Sequence, residues 1–294
     1  MNQDQKQTFT SFKDKWEKNS TLAFTQTLDE TSDIFNWIIT RNGFSGAEQF
    51  GSFISTKKRI LDAGCGNGRV TAMLGKYASS DAKIVGIDLT ASHVAAENLK
   101  ENANMSFFQK DLLDDMQDLG KFDYIYCQEV LHHTSNPRSS FSNLCTILED
   151  GGEIAIYVYK QKAPLREYAD DYIRNLVSTL PYTESVDELA KLTLFGKHLS
   201  SLDIKFEVPE LKLLGIEAGE YDLQRFIYHF FFKCYWNNTF SFDENNAINY
   251  DWYHPQIATR HTIEEVLEWF QANQISVIHE FSDHYGITIR GIKK

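Results

Sequence analysis

Ile60-Leu61-Asp62-Ala63-Gly64-Cys65-Gly66-Asn67-Gly68, followed by Val85-Gly86-Ile87-Asp88, reads as strand, glycine turn, helix, strand and terminal acidic residue. Glycines at alternate positions let the backbone pass close to a ligand and adopt positive φ where the turn requires it. A carboxylate at the end of the second strand can accept hydrogen bonds from both hydroxyls of a ribose. The two stretches together predict a nucleoside-binding half-site.

The glycine spacing discriminates between ligands. A dinucleotide fingerprint, G-x-G-x-x-G, leaves a helix N-terminus open to a pyrophosphate. Here Gly64, Gly66 and Gly68 give G-x-G-x-G with Arg69 next, and Asp62 lies just upstream. A negative charge there opposes a diphosphate and suits an ammonium group. The expected ligand is cationic at one end and a nucleoside at the other, which disfavours a nicotinamide enzyme.

On these residues the chain resembles the class I S-adenosylmethionine-dependent methyltransferases, whose first motif has the form D-x-G-x-G-x-G. The resemblance covers residues 59 to 159 and again 259 to 292. It implies an α/β fold with a doubly wound, mostly parallel seven-stranded Rossmann-like sheet. It also implies S-adenosylmethionine as cofactor and S-adenosylhomocysteine as product. Carried over by residue, it puts the methionine end of the cofactor on Asp62, Gly64, Cys65, Gly66 and Gly68, and the ribose on Asp88 with Leu89 beside it. Asp111, in Phe108-Gln109-Lys110-Asp111-Leu112, matches the acidic residue facing the adenine amino group, and Leu112 goes with it. Gln128 closes the run Tyr124-Ile125-Tyr126-Cys127-Gln128 and matches the position beside the sulfonium. Leu148-Glu149-Asp150-Gly151-Gly152-Glu153-Ile154-Ala155-Ile156 resembles the turn and fifth strand that follow.

Composition agrees with a soluble enzyme: 294 residues, 42% hydrophobic and 24% charged, are ordinary for a globular chain with a substantial core. A formal charge of -12 argues against a nucleic-acid partner, because affinity for phosphates needs clustered Lys and Arg. Lys57-Lys58-Arg59 is the one visible basic run and reads as a solvated loop. Cys65, Cys127, Cys145 and Cys234 form no C-x-x-C pair, which fits a reduced, cytoplasmic setting. The N-terminus lacks an apolar signal core, and the most apolar run, residues 226 to 236, is too short and too polar to span a bilayer, so no membrane partner is expected.

Four segments follow from the patterning. Residues 1 to 50, with Phe9, Phe12, Trp16, Phe35 and Trp37, read as an N-terminal helical cover, and residues 51 to 159 as the cofactor-binding core. Val70, Met73, Leu74 and Tyr77 have helical spacing after the glycine loop, as do Phe141, Leu144, Cys145 and Leu148 after the fourth strand. Residues 160 to 258 interrupt the strand-helix alternation. Leu165, Tyr168, Tyr172, Ile173, Leu176 and Leu180 show helical period there, and the insert is too long and too patterned for a loop. It is expected to be a mainly helical lid or substrate subdomain, or alternatively a homodimer contact. Residues 259 to 294 return to the core, with Thr262-Ile263-Glu264-Glu265 reading as a capping box before two terminal strands.

Methyl transfer from a sulfonium expels a neutral leaving group, so catalysis should rest on alignment and exclusion of water. An alcohol acceptor must also lose a proton. His132 and His133, just beyond Gln128, are the candidate catalytic bases, although the same pair fits a packing or capping role. Tyr157 and Tyr159, at the end of the fifth strand, and Tyr253 and His254, where the insert rejoins the core, are the candidate acceptor-binding residues. Asp251-Trp252-Tyr253-His254-Pro255 with the following His261-Thr262-Ile263-Glu264-Glu265-Val266 is similar to bacterial small-molecule methyltransferases of glycan and secondary-metabolite pathways. No H-E-x-x-H or spaced ligand set predicts a metal, and no G-x-S-x-G predicts a serine hydrolase. The function expected is methyl transfer to a small molecule, oxygen before nitrogen. A macromolecular methyltransferase acting on protein or RNA, and a non-catalytic cofactor-binding partner protein, are the alternatives.

Overall fold

A computed structural model describes residues 1–294. Seven strands form one sheet: β1 Arg59–Ala63, β2 Lys83–Asp88, β3 Met105–Gln109, β4 Phe122–Gln128, β5 Leu148–Tyr159, β8 Ile275–Ser282 and β9 Gly286–Lys293. Their order is β3-β2-β1-β4-β5-β9-β8, parallel except for the two pairings that β9 makes. From β1 the chain winds outward to β3 and then returns to the other side of β1 as β4. This reversal opens a crevice at the carboxyl ends of β1 and β4, where open α/β sheets bind ligands.

The strands are apolar on both faces because helices cover both. Ile60, Ile84, Tyr124 and Tyr126 pack on one side with α3 Asp33–Arg41, α4 Ala47–Ile54 and α5 Arg69–Tyr77. Leu61, Ile87, Ile125 and Ile156 pack on the other with α7 Pro137–Thr146 and α12 Ile263–Ala272. Alternate residues of β1 thus divide between two cores, as the period of a strand requires. Short helix α2, Phe24–Leu28, precedes α3, and α6, Ser92–Asn98, links β2 to β3.

Two compact units emerge. One is Phe12–Lys160 with Thr259–Lys294 and contains the sheet; the other is Met1–Ser11 with Gln161–Ala258. The segment read as a single cover over residues 1 to 50 is therefore divided after Ser11, part-way along α1, Gln3–Lys18. Within the second unit Gln7 donates to the carbonyls of Ser178 and His254 (3.1 and 2.7 Å) and accepts from Gln256 N (2.7 Å). This unit holds α8 Pro164–Val177, α9 Tyr182–Ser201, α10 Leu223–Phe230 and α11 Phe242–Tyr253, with a two-stranded sheet of β6 Lys205–Val208 and β7 Gly219–Asp222.

Three local readings change. Leu148–Gly152, read as a turn, already belongs to β5, which pairs Phe122 with Leu148 and then skips to Tyr124 with Glu153. Thr262 caps α12 by accepting from Glu265 N (3.2 Å), but the Glu265 carboxylate turns to His261 Nδ1 (3.0 Å) and does not complete a capping box. The reciprocal box is at Ser241 and Glu244, opening α11. No helix is long and apolar enough to cross a membrane.

Candidate active site

The glycine loop leaves β1 with Gly64, Gly66 and Gly68 at φ of +89°, +54° and +87°. At Gly64 a Cβ would sit 2.1 Å from Val130 Cγ2, and at Gly66 one would sit 2.9 Å from the Trp16 indole. Absence of a side chain is thus required twice over at each position, by dihedral and by space. Gly64 N and Cys65 N both donate to the Ile87 carbonyl (2.7 and 2.9 Å), which ties the loop to the end of β2.

Asp88 completes that tie. Its Oδ2 accepts from Gly66 N (3.0 Å), while Oδ1 accepts from Thr90 N, Thr90 Oγ1 and Ala91 N (2.7, 2.9 and 2.8 Å). Oδ1 is saturated, so the capacity left for ligand hydroxyls is on Oδ2. Cys65 turns its thiol under the loop towards Gly86 and is buried, and burial pushes that thiol well above its ordinary range. Leu89 is half-buried, with its carbonyl held by Gln109 Nε2 (2.8 Å).

Asp62 is 2% exposed, and its hydrogen-bonding partner is the neutral Thr71 hydroxyl (2.6 Å). Burial pushes its carboxyl up to about 7, with the nearby Asp88 adding to the rise and Thr71 and Arg69 opposing it. A buried carboxyl with only a neutral partner suits a cationic group. At the end of β3, the Lys110 N–H reaches the Asp88 carbonyl (3.3 Å), which brings Asp111 beside β2; Asp111 Oδ1 accepts from Leu113 N (3.0 Å) and Leu112 is buried in the core.

At the end of β4 a directed relay fixes Gln128. The Asn42 amide donates to the Ile38 carbonyl (2.8 Å) and to Tyr126 Oη (3.3 Å), and the Tyr126 hydroxyl donates to Gln128 Oε1. Gln128 Nε2 is left as a buried donor without a partner. The residue that follows, Glu129, has φ +59°, a left-handed conformation that non-glycine residues adopt at a cost and that clusters at binding sites. Buried acid, hydroxyl acceptor and orphaned donor converge from β1, β2 and β4, and they fit a cofactor with a cationic amino-acid end and a ribose.

The two histidines differ. His132 is fully buried, stacks on Tyr159 (centroids 3.6 Å apart), and accepts the Tyr159 N–H on Nδ1 (3.3 Å). Its neutral ring therefore carries hydrogen on Nε2 and has no free lone pair there to take a proton. His133 is half-buried, edge-on to Phe12 at 4.7 Å. Tyr157 lies against Gly286 and packs with Trp37 (5.3 Å), while the Tyr159 carbonyl accepts from His261 N (2.9 Å). The structure therefore brings His132, His133, Tyr157 and Tyr159 into one aromatic cluster.

The family profile of the methyltransferase domain matches residues 54–200, half of the 294-residue chain. The chain belongs to the class I S-adenosylmethionine-dependent methyltransferase family. This methyltransferase is 36% identical over 118 residues to an uncharacterised protein of Synechococcus sp., covering 38% of its own chain and 28% of that protein. It is 25% identical over 193 residues to a ubiquinone biosynthesis O-methyltransferase of Coxiella burnetii, covering 60% of its own chain and 76% of the relative. The solved structure of PKMT2 from Rickettsia typhi shares the fold with a TM-score of 0.55 at 15% identity, over 83% of this chain and 52% of that one.

Two expected acceptor residues have internal duties in the methyltransferase. Tyr253 is fully buried, its hydroxyl donating to Asp170 Oδ1 (2.6 Å) and accepting from Lys233 N (2.8 Å). His254 is held between Ser11 Oγ (2.8 Å) and the Leu180 carbonyl (3.1 Å). Both bond to groups within the helical unit. Conversely, Trp16, Asn42, Tyr126 and Glu129 shape the site without having been assigned to it. Trp16 had a signal, as an aromatic of the N-terminal helix; the αL conformation of Glu129 has none in a glutamate. No group of three or more His, Cys, Asp or Glu side chains is arranged to hold a metal.

Proposed function

We propose that the chain transfers the methyl group of S-adenosylmethionine to a small-molecule acceptor, with oxygen favoured over nitrogen. The observation that carries the cofactor reading is Asp62, a buried carboxyl bonded to a neutral hydroxyl beside a glycine loop pinned by Asp88. The bound cofactor supplies an electrophilic methyl group on a sulfonium. The chain holds its amino-acid end with Asp62, its ribose with Asp88 Oδ2, and a further polar group with Gln128 Nε2.

The preference for oxygen rests on His133. The His132 ring is committed to Tyr159, and His133, packed against it just beyond the end of β4, is the candidate to receive an acceptor hydroxyl proton. The name of the Coxiella relative, an O-methyltransferase, points the same way. The insert is proposed to determine the acceptor and to support a homodimer, in keeping with the exposed Leu165, Tyr168, Tyr172 and Leu176 of α8.

Calorimetric titration with S-adenosylhomocysteine, with NAD as control, tests the cofactor. Binding of the former alone is expected; absence of binding by folded protein overturns the reading. Transfer of labelled methyl to a panel of phenols, alcohols and amines then tests the acceptor class, with label on amines alone rejecting oxygen.

A further inference from the structure

Helix α8 is inverted. Its buried face is Arg166, Asp170, Arg174 and Val177, while the exposed face is Leu165, Tyr168, Tyr172 and Leu176. Burying guanidinium groups is unfavourable unless each finds oxygen acceptors. Asp170, 1% exposed, stands at the centre and accepts four donors: Arg166 Nε (3.0 Å) and Trp252 Nε1 (2.7 Å) on Oδ2, Tyr253 Oη (2.6 Å) and Lys233 N (2.9 Å) on Oδ1. Two bonds on each oxygen fill a carboxylate, and Asp170 has nothing left for the rest of the Arg166 fork.

Arg166 Nη1 is accordingly buried with no hydrogen-bond partner. The guanidinium lies 4.6 Å from the Tyr228 ring and 5.1 Å from that of Trp252. Three other cations approach the same indole: Lys233 Nζ at 5.0 Å, Lys162 Nζ at 5.4 Å and Arg174 at 5.6 Å. An aromatic face attracts one cation modestly, whereas several cations at one ring repel each other. An orphaned, planar guanidinium donor in such surroundings matches an oxyanion.

We propose that the helical unit binds a small oxyanion, carboxylate or phosphoryl, through Arg166 with Lys233 and Lys162 around it.

The test is the melting temperature of the full chain in inorganic phosphate, in acetate and in chloride, at matched ionic strength. A saturable rise of about 3 °C over chloride is expected for at least one oxyanion. Phosphate alone, or acetate alone, identifies the phosphoryl or the carboxylate class. Lys233→Met and Arg166→Gln should each abolish the rise. Lys233→Met keeps the fold testable, because Asp170 bonds the backbone of Lys233 and not its side chain. Equal melting in all three salts, or an undiminished rise in both variants, overturns the site.

Discussion

Asp62 is a residue whose ionisation opposes folding. Its carboxyl rises from 3.8 to about 7, mainly through burial, which is on the order of 4 kcal/mol against the ionised form. A raised carboxyl contributes most stability below its unfolded value, so stability from this group is intact below about pH 4. It is lost progressively as pH climbs to 7. Asp62→Asn, which keeps an acceptor for Thr71, should therefore melt with wild type at pH 4 and several degrees higher at pH 8. The same variant should bind S-adenosylhomocysteine poorly. Identical melting differences at the two pH values would remove the assigned cause. The histidines separate in a similar way. His133→Ala should lower kcat by about 100-fold or more at saturating cofactor if it is the base, with little change in melting temperature. His132→Ala should chiefly lower stability, since it removes a stacked, buried ring; unchanged kcat in the His133 variant would reject the base.

At the scale of elements, the glycine loop allows a sharper test than the loss of a contact. Gly64→Ala combines a positive φ with a Cβ 2.1 Å from Val130 Cγ2, so a loss of about 3 kcal/mol in urea denaturation is expected. The double variant with Val130→Ala should recover the steric part and leave the dihedral part; full recovery would mean that the backbone conformation costs nothing. Loop, β1 and β2 were legible because their determinants are local: glycines at fixed spacing, an acid at the end of a strand, short apolar runs that serve both faces. Helix α8 has the expected period, with its apolar stripe turned outward. Leu165, Tyr168, Tyr172 and Leu176 carry the helical period, yet they are exposed, and Arg166, Asp170 and Arg174 are inside. Periodicity identifies a stripe but not which way it faces, and an ionic interior is invisible until Trp252, Tyr253 and Lys233 are brought to it from far along the chain.

For the whole molecule, the partition of the chain has a consequence for its N-terminus. Residues 1 to 11 belong with 161 to 258, through Gln7, and through Thr8 Oγ1 accepting from Ile257 N (2.9 Å). Deleting residues 2 to 11 should cost hydrogen-exchange protection around 178 to 182 and 250 to 257, and leave β1, β2 and β4 unchanged. Loss spread evenly over the sheet would contradict that partition. Contacts separated by this much sequence leave no periodic trace, which is why residues 1 to 50 read as one segment. The asparagine–tyrosine–glutamine relay was hidden for the same reason: Asn42 lies far from Tyr126 and Gln128 in the chain, and only the packing of α3 on the sheet joins them.

All four cysteines are reduced and buried, three in the sheet unit and Cys234 in the helical one. Burial lifts the thiols of Cys145 and Cys234 up to about 12 and those of Cys65 and Cys127 well above the ordinary range. Native protein should thus resist alkylation, since the thiolate is the reactive species. Each cysteine becomes a built-in clock, modified only when its surroundings open. Mass-resolved alkylation over time would give Cys234 one rate and the sheet cysteines another if the units breathe independently, and a common rate if the molecule opens as one.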